Sequence, residues 1–448
     1  MKNYNLMNAF EPNLPASTGK RIVIVGGGFA GITLAQKIAR PDYQVVLIDK
    51  NNFHQFQPLF YQVATAGLEP SAISYPFRKW FQNKANFHFR LAEVLAIQPE
   101  LHQIETSIGP IEYDYLVLAM GATTNFYGNP SLEEYTFPLK SIHESLAFRN
   151  SILNKFEQAL LVNDVNARRR LLQFIVVGGG PTGVEVSGAL AEMKKFILPK
   201  DYPELDFDLM QIYLVEGSDR VLNAMSPASS WRAQEYLDQF GVKVILGKTV
   251  NSYDGSVLTL SDQTTLESKT VIWAAGVKAA SIPGLEEQAY LPNKRLKVDQ
   301  FNKVNGYEDI FALGDMAVTE TPLPQVAQVA IQQAARLAAN LNKKNSNKWS
   351  PFKYHNRGTM ATVGRNKAVA EIYGLRFSGF VAWFIWMFIH LVSLLGFKNR
   401  MQTFINWAWN YFSYDQTLRL IIHSKKENTI PSYQPTIYSS DKKAALVA

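Results

Sequence analysis

Short apolar runs that end at glycine-rich turns mark the first part of the chain. Residues 21–25 predict a buried strand, and the run Gly-Gly-Gly-Phe-Ala-Gly over 26–31 follows at once and leads into a helical pattern up to Arg40. A second apolar run, Val45–Ile48, ends in Asp49. Strand, glycine turn, helix and strand in this order predict the opening βαβ unit of a parallel sheet.

The same order of elements returns 152 residues later, counted between the first glycines of the two turns. Phe174–Val177 predicts a strand, a glycine turn over 178–183 follows, and Ile212–Val215 predicts the strand that ends in Glu216. The repeat predicts an α/β chain with two Rossmann-type domains. Each copy later reaches a further strand that ends in small residues, at 116–122 and at 271–277.

After the second copy the pattern changes to one strand, one helix and a polar stretch. Ile310–Asp315 predicts a strand that ends in a Gly-Asp turn, and an alanine-rich helix is expected from about Pro324 to Asn342. The polar residues 343–350 predict a linker, and strand-like segments begin near Pro351. The chain therefore continues into a third region that follows both glycine turns.

The third region contains a long run of residues without formal charge. Phe377–Phe397 holds 21 such residues. At about 1.5 Å each they span roughly 31 Å, enough for a single transmembrane helix. Trp383 and Trp386 lie in the middle of the run, and the polar residues His390 and Ser393 interrupt it. These four residues favour the alternative, a helix that lies on a membrane surface, because tryptophan prefers the membrane–water interface.

A second helix is predicted from about Met401 to His423, with apolar side chains at spacings of three and four. This stripe indicates an amphipathic helix on a bilayer surface, and a buried face between two copies of the chain is the competing interpretation. The apolar positions are Met401, Phe404, Ile405, Ala408, Tyr411 and Phe412, and the polar ones are Gln402, Thr403, Asn406 and Asn410.

The amino-acid composition excludes several kinds of chemistry. Apolar residues make up 47% of the 448 residues and charged residues 19%, so the chain can bury a large core. It contains no cysteine, which excludes disulfides, thiolate catalysis and cysteine-held iron–sulfur clusters. We expect no metal site, because the His, Asp and Glu residues lack the spacing of metal ligands, and we assign no chemistry to His54.

Positive charge is concentrated near the end of the chain. Of the net charge of +7, +5 falls in residues 376–448, where eight Lys and Arg stand against three Asp and Glu. A basic stretch that is also rich in tryptophan indicates an anionic membrane surface as partner and not a nucleic acid. Residues 1–20 lack the apolar segment of a secretory signal, so we expect the protein on the cytoplasmic side.

Each glycine turn has what a dinucleotide pyrophosphate needs, namely a tight turn, close backbone approach and a helix N-terminus. Asp49 follows the last glycine of its turn by 18 residues and suits the ribose hydroxyls, for which the usual spacing is about 20. Glu216 follows the last glycine of the second turn by 33 residues, and a polar loop around 196–208 would explain the longer spacing. A carboxylate at 216 repels a 2′-phosphate and favours NADH over NADPH, although Arg220 leaves NADPH open.

Several segments resemble the type II (alternative) NADH:quinone oxidoreductases, a family of the two-dinucleotide-binding flavoproteins. The Ala-Leu-Gly-Asp turn at 312–315 resembles the same superfamily, and the resemblance covers about residues 20–425. Because the chain has no cysteine, the disulfide reductases and sulfide:quinone oxidoreductases of that superfamily are excluded. The segments are 52–68 (which opens Asn-Phe-His-Gln-Phe-Gln-Pro), 180–185 (Gly-Pro-Thr-Gly-Val-Glu), 327–332 (Ala-Gln-Val-Ala-Ile-Gln) and 406–412 (Asn-Trp-Ala-Trp-Asn-Tyr-Phe).

The resemblance implies a membrane-bound, non-proton-pumping flavoenzyme that passes two electrons from NADH through non-covalent FAD to a membrane quinone. It implies a homodimer on the cytoplasmic face of the inner (plasma) membrane, with paired helices lying on the bilayer surface. The implied domains are an FAD-binding domain at 20–140 and 286–345, an NADH-binding domain at 141–285, and a membrane-association region at 346–448. Two alternatives remain, a soluble NADH-dependent reductase of an electron-carrier protein and an NADH-binding flavoprotein switch with little turnover.

The resemblance also implies roles for individual residues. Glu185 lies near nicotinamide and flavin and relays protons, while Gln328 and Gln332, four apart on one helix face, contact the quinone. Lys398 binds near FAD unless it only extends toward lipid headgroups, and Val94 contacts the adenine unless it is an ordinary strand residue. The other FAD residues are Gly26, Gly27, Gly28, Phe29, Ala30, Gly31, Asp49, Lys50, Gly121, Asp315, Ala327 and again Gln328. The other NADH residues are Gly178, Gly180, Pro181, Thr182, Gly183, Glu216 and Gly276.

Overall fold

The structure, a computed structural model, describes residues 11–414 and 418–422. Its first sheet is parallel, and the strand next to the first glycine turn lies at its centre. The last strand of this sheet follows the whole second domain in sequence, so the second domain is inserted into the first, as predicted. In spatial order, and numbered along the whole chain, the strands are β21 (Ile310–Ala312), β9 (Tyr115–Leu118), β1 (Lys20–Val25), β2 (Tyr43–Asp49) and β5 (Phe87–Leu91).

Two helices pack against each other on one face of this sheet. Helix α1 (Phe29–Lys37) ends before the predicted Arg40, and α10 (Ala327–Leu341) begins three residues after the predicted Pro324. The later start has a local cause, because Val326 is extended, with φ −131° and ψ 153°, and forms the N-cap. Ala-rich faces allow the two helices to approach closely, which brings the start of α10 next to the first glycine turn.

The second sheet is also parallel and repeats the first around the second glycine turn. Its strands, in spatial order, are β11 (Phe137–Pro138), β18 (Thr270–Trp273), β12 (Gln173–Val177), β13 (Gln211–Val215) and β14 (Val242–Ile245). Its main helices are α5 (Ile142–Leu161), α6 (Val165–Leu172), α7 (Pro181–Glu192) and α9 (Pro227–Gln239).

The polar loop expected around 196–208 is wrong for residues 196–201, which are helical, whereas residues 202–206 do form a loop. The chain instead continues α7 as a π-helical turn, Met193–Ile197, and then as α8 (Leu198–Asp201), before a short 3₁₀ turn at Phe207–Leu209. Met193, Ile197 and Leu198 are buried in the core, which is why this stretch stays helical despite its lysines. The long spacing between the second glycine turn and Glu216 is therefore largely helix.

Smaller elements complete the two domains, and one of them joins the domains directly. Strand β10 (Ala122–Thr124) pairs antiparallel with β19 (Val277–Ala279), and these strands leave the turns at Gly121 and Gly276. The short helices are α2 (Phe60–Ala64), α3 (Phe77–Trp80) and α4 (Pro130–Tyr135). The other strands are β3 (Phe53–Gln55), β4 (Ser74–Pro76), β6 (Val94–Gln98), β7 (Gln103–Thr106), β8 (Ile111–Glu112), β15 (Val250–Tyr253), β16 (Val257–Leu260), β17 (Thr265–Glu267), β20 (Leu296–Lys297) and β22 (Ala317–Val318).

The third region is an antiparallel sheet followed by two helices. The sheet contains β23 (Thr359–Gly364), β24 (Lys367–Ile372) and β25 (Leu375–Ser378), and β23 packs against α7 of the second domain. Helix α11 spans Gly379–Ser393, and α12 spans Phe397–Ser413. The second helix thus starts earlier and ends earlier than predicted, and residues 418–422 are not helical. The predicted end at His423 and the basic residues after it lie outside the described residues.

The uncharged run Phe377–Phe397 does not form one helix. The chain leaves the helix at Leu394, with φ −64° and ψ 142°, and turns at Gly396, with φ +80°. Helix α11 has 15 residues. Across residues 11–414 and 418–422, no helix has both the length and the apolar character needed to cross a membrane.

Candidate active site

In the first glycine turn (Gly26–Gly31), close backbone contacts leave no room for a side chain at Gly26 or Gly31. Gly26 has φ +100°, and a Cβ there would lie 2.5 Å from the carbonyl oxygen of Ala119. The Gly27 N–H donates a hydrogen bond to the Asp49 carboxylate at 2.7 Å, and the same carboxylate accepts one from the Asn51 N–H at 2.7 Å. Burial raises the pKa of Asp49, against the opposing effect of these N–H groups. Asp49, the last residue of β2, is thus held beside the turn.

His54 fixes this turn from its inner side. Its Nδ1 lies 2.9 Å from the Gly27 carbonyl oxygen, which can only accept, so Nδ1 carries the proton and donates. The ring of Phe77 occupies the space where a Gly27 side chain would be, and His54 meets Phe29 edge to face. Burial lowers the pKa of His54, so the ring is neutral at pH 7. Sequence reasoning assigned His54 no chemistry, and the structure makes it a positioning residue for the turn.

Two further turns lie at the same edge of the first sheet. The Leu313 N–H donates to the Leu118 oxygen at 3.0 Å, which aligns the Gly-Asp turn with the turn that contains Gly121. Gly314 N–H donates to the buried side-chain oxygen of Gln333 on α10, at 2.7 Å. The three turns carry Gly26, Gly121 and Asp315, so the structure brings these predicted residues to one edge.

The surroundings of Asp315 fit a phosphate- and carbonyl-bearing cofactor such as FAD. Burial raises the pKa of Asp315, and the positive charges of Lys140 and Arg295 oppose that shift. Burial in turn lowers the pKa of Lys140. The Nε of Arg295 is buried without a hydrogen-bond partner among the described residues, so this part of the site has a donor to spare. Lys140 follows Phe137-Pro-Leu, and a single lysine after an apolar run was the signal that sequence reasoning missed.

The second glycine turn (Gly178–Gly183) repeats the first in detail. Gly178 has φ +108°, and a Cβ there would lie 2.6 Å from the Ala274 oxygen. The Gly179 N–H donates to one carboxylate oxygen of Glu216 at 2.5 Å, and the Ser218 N–H donates to the other at 2.7 Å. Glu216 therefore occupies the place that Asp49 has in the first turn.

The second turn is more open than the first. Pro181 and Thr182, at the start of α7, are exposed, whereas Ala30 of the first turn is buried and Phe29 is half-buried. A Cβ on Gly180 would meet no atom within 4 Å. Gly276 lies in the turn after β18, beside Ala274 and next to the hydroxyl of Tyr127. These positions form one accessible concave edge, which suits a substrate that binds and leaves.

The two glutamines of α10 have different surroundings. The side-chain oxygen of Gln328 is buried and has no hydrogen-bond partner among the described residues. The Gln332 amide is paired at both ends with the backbone of His355, donating to its oxygen at 3.0 Å and accepting from its N–H at 3.0 Å. Gln328 is therefore free to meet a ligand, and Gln332 can do so only by giving up these two bonds.

Glu185 lies one turn into α7 and points toward the third region. Burial raises its pKa to about 8, against smaller opposing effects of the Thr362 backbone and the Trp386 indole. The Trp386 Nε1 has no hydrogen-bond partner in the described part of the chain, so its N–H is available to a carboxylate. The Glu185 carboxyl is thus protonated near neutral pH, next to a donor that can stabilise it once it has lost its proton.

The remaining predicted residues lie around the first turn. Ala327 begins α10, and a Cβ on the neighbouring Gly314 would be 3.1 Å from Ala330. Val94 is half-buried at the start of β6, close to the end of β2. Lys50 is exposed after β2, and Lys398 is exposed at the start of α12, next to Asn399, which donates to the Ser74 oxygen at 2.8 Å.

Comparison with known proteins agrees with this geometry. A family model described as pyridine nucleotide-disulphide oxidoreductase matches residues 20–334, and one described as NDH2 C-terminal domain matches residues 356–413. The structure of NDH2 from Plasmodium falciparum in complex with NADH superposes with a TM-score of 0.83 at 21% sequence identity, covering 90% of this chain and 100% of that one. The first model covers most of the chain, and the second covers the sheet and the two helices of the third region.

Two curated relatives are similar over nearly their whole length. The type II NADH:quinone oxidoreductase Ndh of Mycobacterium tuberculosis is 35% identical over 424 residues, which are 90% of this chain and 90% of the relative. The type II NADH:quinone oxidoreductase of Staphylococcus saprophyticus is 28% identical over 379 residues, or 81% of this chain and 92% of the relative. The chain therefore belongs to the type II NADH:quinone oxidoreductases, flavoenzymes that use FAD to pass electrons from NADH to a quinone.

Proposed function

We propose that the first glycine turn holds FAD without a covalent bond, and that the second binds NADH as an exchanging substrate. The observation that carries this assignment is the matched pair of carboxylates. Asp49 and Glu216 each accept the N–H of the second glycine of their turn, and each has lone pairs left for ribose hydroxyls. The enclosed first turn suits a resident cofactor, and the open second turn suits a substrate.

Residues at the edge of the first sheet would hold the cofactor. The N–H groups that open α1 would face the pyrophosphate, and Asp315 would accept from the FAD chain. Lys140 and Arg295 would balance negative charge on the cofactor, since both lie close enough to Asp315 to influence its pKa. FAD, when bound, supplies the hydride-accepting and electron-passing chemistry, while the protein supplies distance, orientation and field.

Quinone reduction is assigned to α10 and α7. The unpaired oxygen of Gln328 would accept from a quinol hydroxyl, and its amide nitrogen would donate to a quinone carbonyl. Gln332, which is tied to His355, would hold the segment before β23 in place. Glu185 is a buried acid whose pKa of about 8 suits proton transfer at neutral pH. We propose no proton pumping, since each of these groups serves the chemistry of quinone reduction itself.

The third region would place the protein on a membrane surface. On helix α12 the polar side chains of Asn399 and Thr403 are buried. The apolar side chains of Phe404 and Phe412 are exposed, that of Phe412 by 83%. Exposed apolar patches this extended mark a membrane or protein contact. Exposed apolar side chains on α11 extend the surface. They are Phe380, Val381, Phe384, Phe388, Ile389 and Val392.

We place this surface on the cytoplasmic leaflet of the plasma membrane, because the net positive charge of residues 376–448 favours anionic lipids. We also propose a homodimer, with part of the α11 and α12 surface facing the second copy. Sedimentation of the detergent-solubilised protein distinguishes the mass of one chain from that of two. A monomer at all concentrations tested would overturn the dimer.

The function is tested by steady-state oxidation of NADH in detergent, with and without quinone. We expect oxidation to need quinone, to be faster with NADH than with NADPH, and to leave FAD extractable by acid denaturation. A soluble electron-carrier reductase would instead depend on a carrier protein, and a flavoprotein switch would bind NADH with negligible turnover. Either result would contradict the proposal.

The membrane surface is tested with exposed side chains, so that the core is untouched. The double variant Phe404→Glu with Phe412→Glu should bind anionic liposomes at least about a hundredfold more weakly, since burying each phenylalanine is worth roughly 1.5–3 kcal/mol. Leu101→Glu is the matched control, because Leu101 is also exposed but lies in the first domain. Equal co-sedimentation of the double variant and the control would refute the assignment.

A further inference from the structure

Helix α7 carries a second carboxyl group on the same face as Glu185. Glu185, Gly188, Ala189 and Glu192 follow at spacings of three and four, so they line one side of the helix. This side faces β23, and a Cβ on Gly188 would lie 1.6 Å from the Val363 oxygen, so the helix and the strand touch there. The two small residues between the acids leave space beside that contact.

A cavity of about 120 Å³ occupies this space and joins the two acids. Its walls include both carboxyl groups and the polar side chains of Gln62 and Thr65 on and after α2, with Trp383 and Trp407 from the third region. Polar groups on several sides and this volume suit a small cluster of water molecules, because a buried water needs two to four polar partners. Glu185 is buried and Glu192 is half-buried, so Glu192 is the outer acid.

The guanidinium of the neighbouring Arg365 does not bind the carboxyl group of Glu192. Within residues 11–414 and 418–422, the hydrogen bond that this carboxyl accepts comes from the backbone N–H of Arg365, at 2.6 Å. The Arg365 guanidinium instead donates to the backbone oxygens of Asn410 and Tyr411 at the end of α12, at 2.6 and 3.0 Å. Among the described residues, the titratable and charged groups that line the cavity with Glu192 are Glu185, Tyr61 on α2, Arg365, and Tyr411 on α12.

We infer that Glu192 is the outer proton donor of quinone reduction and recharges Glu185 through water in this cavity. The inference rests on the proposed function, in which Glu185 gives a proton to the reduced quinone. NADH delivers a hydride, so NADH, one proton and quinone yield NAD⁺ and quinol, and that one proton must come from solvent. The Glu192 O–H bond breaks as the proton passes to water, and a new O–H bond forms on Glu185. Glu192 then takes a proton from outside.

Burial increases the proton affinity of both acids, Glu185 and Glu192. It raises the pKa of Glu192, against the opposing effects of the Arg365 N–H and its charge. It likewise raises the pKa of Glu185 and, together with that carboxyl, the pKa of Tyr61. Tyr61 therefore keeps its proton, and Glu185 and Glu192 are the two carboxylic acids of this cavity between which a proton can pass.

The test uses the full chain with bound FAD. Glu192→Gln keeps an acceptor for the Arg365 N–H but cannot release a proton. We expect stopped-flow reduction of the flavin by NADH to be unchanged, and so too steady-state reduction of ferricyanide, which takes electrons without protons. Reoxidation by quinone at about pH 8 should slow by about tenfold or more and fall off at lower pH than in the unaltered protein. Glu192→Asp should restore most of the rate.

Glu371→Gln is the control, since Glu371 accepts hydrogen bonds from Ser226 and Ser229 on the other side of the third-region sheet and does not line the cavity. Its reoxidation rate and pH profile should not move. An unchanged quinone rate and pH profile in Glu192→Gln would overturn the inference, and so would an equal loss with ferricyanide, which marks a structural role. If the unaltered protein reduces ferricyanide but no quinone, the proposed function fails instead.

Discussion

The two glycine turns share a backbone and differ in what surrounds it. In both, the first glycine has a positive φ, +100° at Gly26 and +108° at Gly178, and in both the second glycine donates to a carboxylate. Around Gly27 the space is filled by Phe77, whereas Gly179 lies against the side chain of Glu216 itself. The first turn is packed by an aromatic ring of the core, and the second lies against the side chain of its own acid.

This difference follows the lifetimes of the two ligands. A resident cofactor gains from a turn that is already rigid, because its binding then costs little ordering of the protein. A substrate that must leave in every cycle needs an accessible site and moderate affinity. The same local motif thus serves both tasks, and the residues packed behind it set which task it performs.

The largest effect should come from adding one methyl group to either turn. Gly26→Ala and Gly178→Ala each place a Cβ about as close to a backbone oxygen, 2.5 and 2.6 Å, at a positive φ. We expect Gly26→Ala to abolish FAD retention or folding. Gly178→Ala should keep FAD but reduce kcat/KM for NADH by more than about a hundredfold, since close backbone approach is lost.

The flavin-to-protein ratio and NADH kinetics of the two variants measure this difference. Swapped results, with FAD lost from Gly178→Ala and retained by Gly26→Ala, would reverse the assignment of the turns. Full FAD occupancy in both, with equal loss of NADH turnover, would show that the packing behind the first turn does not set cofactor retention.

Glu185→Gln should slow flavin reoxidation by quinone about a hundredfold while NADH still reduces the flavin at nearly the normal rate.

Glu185 also makes the stability of the fold depend on pH. Its pKa is raised from 4.5 to about 8 in the fold, so the folded state binds the extra proton and stability falls as pH rises between these values. By pH 9 the loss in the free energy of unfolding is on the order of 5 kcal/mol, at about 1.4 kcal/mol per unit of pKa shift.

Thermal unfolding of Glu185→Gln and the unaltered protein at pH 5 and pH 9 checks the linkage. The variant should gain stability relative to the unaltered protein at pH 9 and show little difference at pH 5. A gain of the same size at both values would mean that Glu185 is not buried as an acid. Control melts of Glu371→Gln should show no such dependence on pH.

Gln328→Ala should slow reoxidation by quinone about tenfold, because a good hydrogen bond is worth roughly 1–1.5 kcal/mol. Gln332→Ala should also slow this step and spare reduction by NADH, but through loss of its two bonds to the His355 backbone. Sequential stopped-flow mixing with NADH and then quinone separates the two steps. A large loss in the rate of flavin reduction by NADH would show that these residues do not act at the quinone.

The smallest effect concerns the ribose of NADH. Glu216→Gln keeps an acceptor for the Gly179 N–H and removes the charge, so the preference for NADH over NADPH should fall by about fivefold to tenfold. Glu216→Ala removes both and should also weaken NADH binding. If neither variant changes the ratio of the two kcat/KM values, Glu216 does not meet the adenine ribose.

Local signals explain what could be predicted from the sequence. The glycine turns, their strands and the two acids lie within short stretches, where residue type and spacing determine geometry directly. The structure confirms both βαβ units and places Asp49 and Glu216 at equivalent positions. The helical residues 196–201 were missed because the polar residues that follow suggest a loop, while Ile197 and Leu198 are buried in the core.

The features that could not be predicted from the sequence depend on contacts between residues far apart in the chain. His54 reaches back 27 residues to Gly27, and Glu192 meets an N–H 173 residues away. Hydropathy alone counted Phe377–Phe397 as one element, although its first two residues belong to β25, helix α11 ends at Ser393, and the chain turns at Gly396 with φ +80°. The pairing of Gln332 with His355 likewise depends on how the segment before β23 is packed, which no spacing rule contains.

The central claim, a resident flavin in the enclosed turn that is reduced by NADH at the open one and reoxidised by quinone, is tested most directly by anaerobic stopped-flow absorbance of the protein as isolated. We predict that NADH alone bleaches the bound flavin within a single turnover, and that subsequent mixing with quinone restores its absorbance. A flavin that NADH cannot bleach, or that stays bleached in excess quinone, would contradict the account.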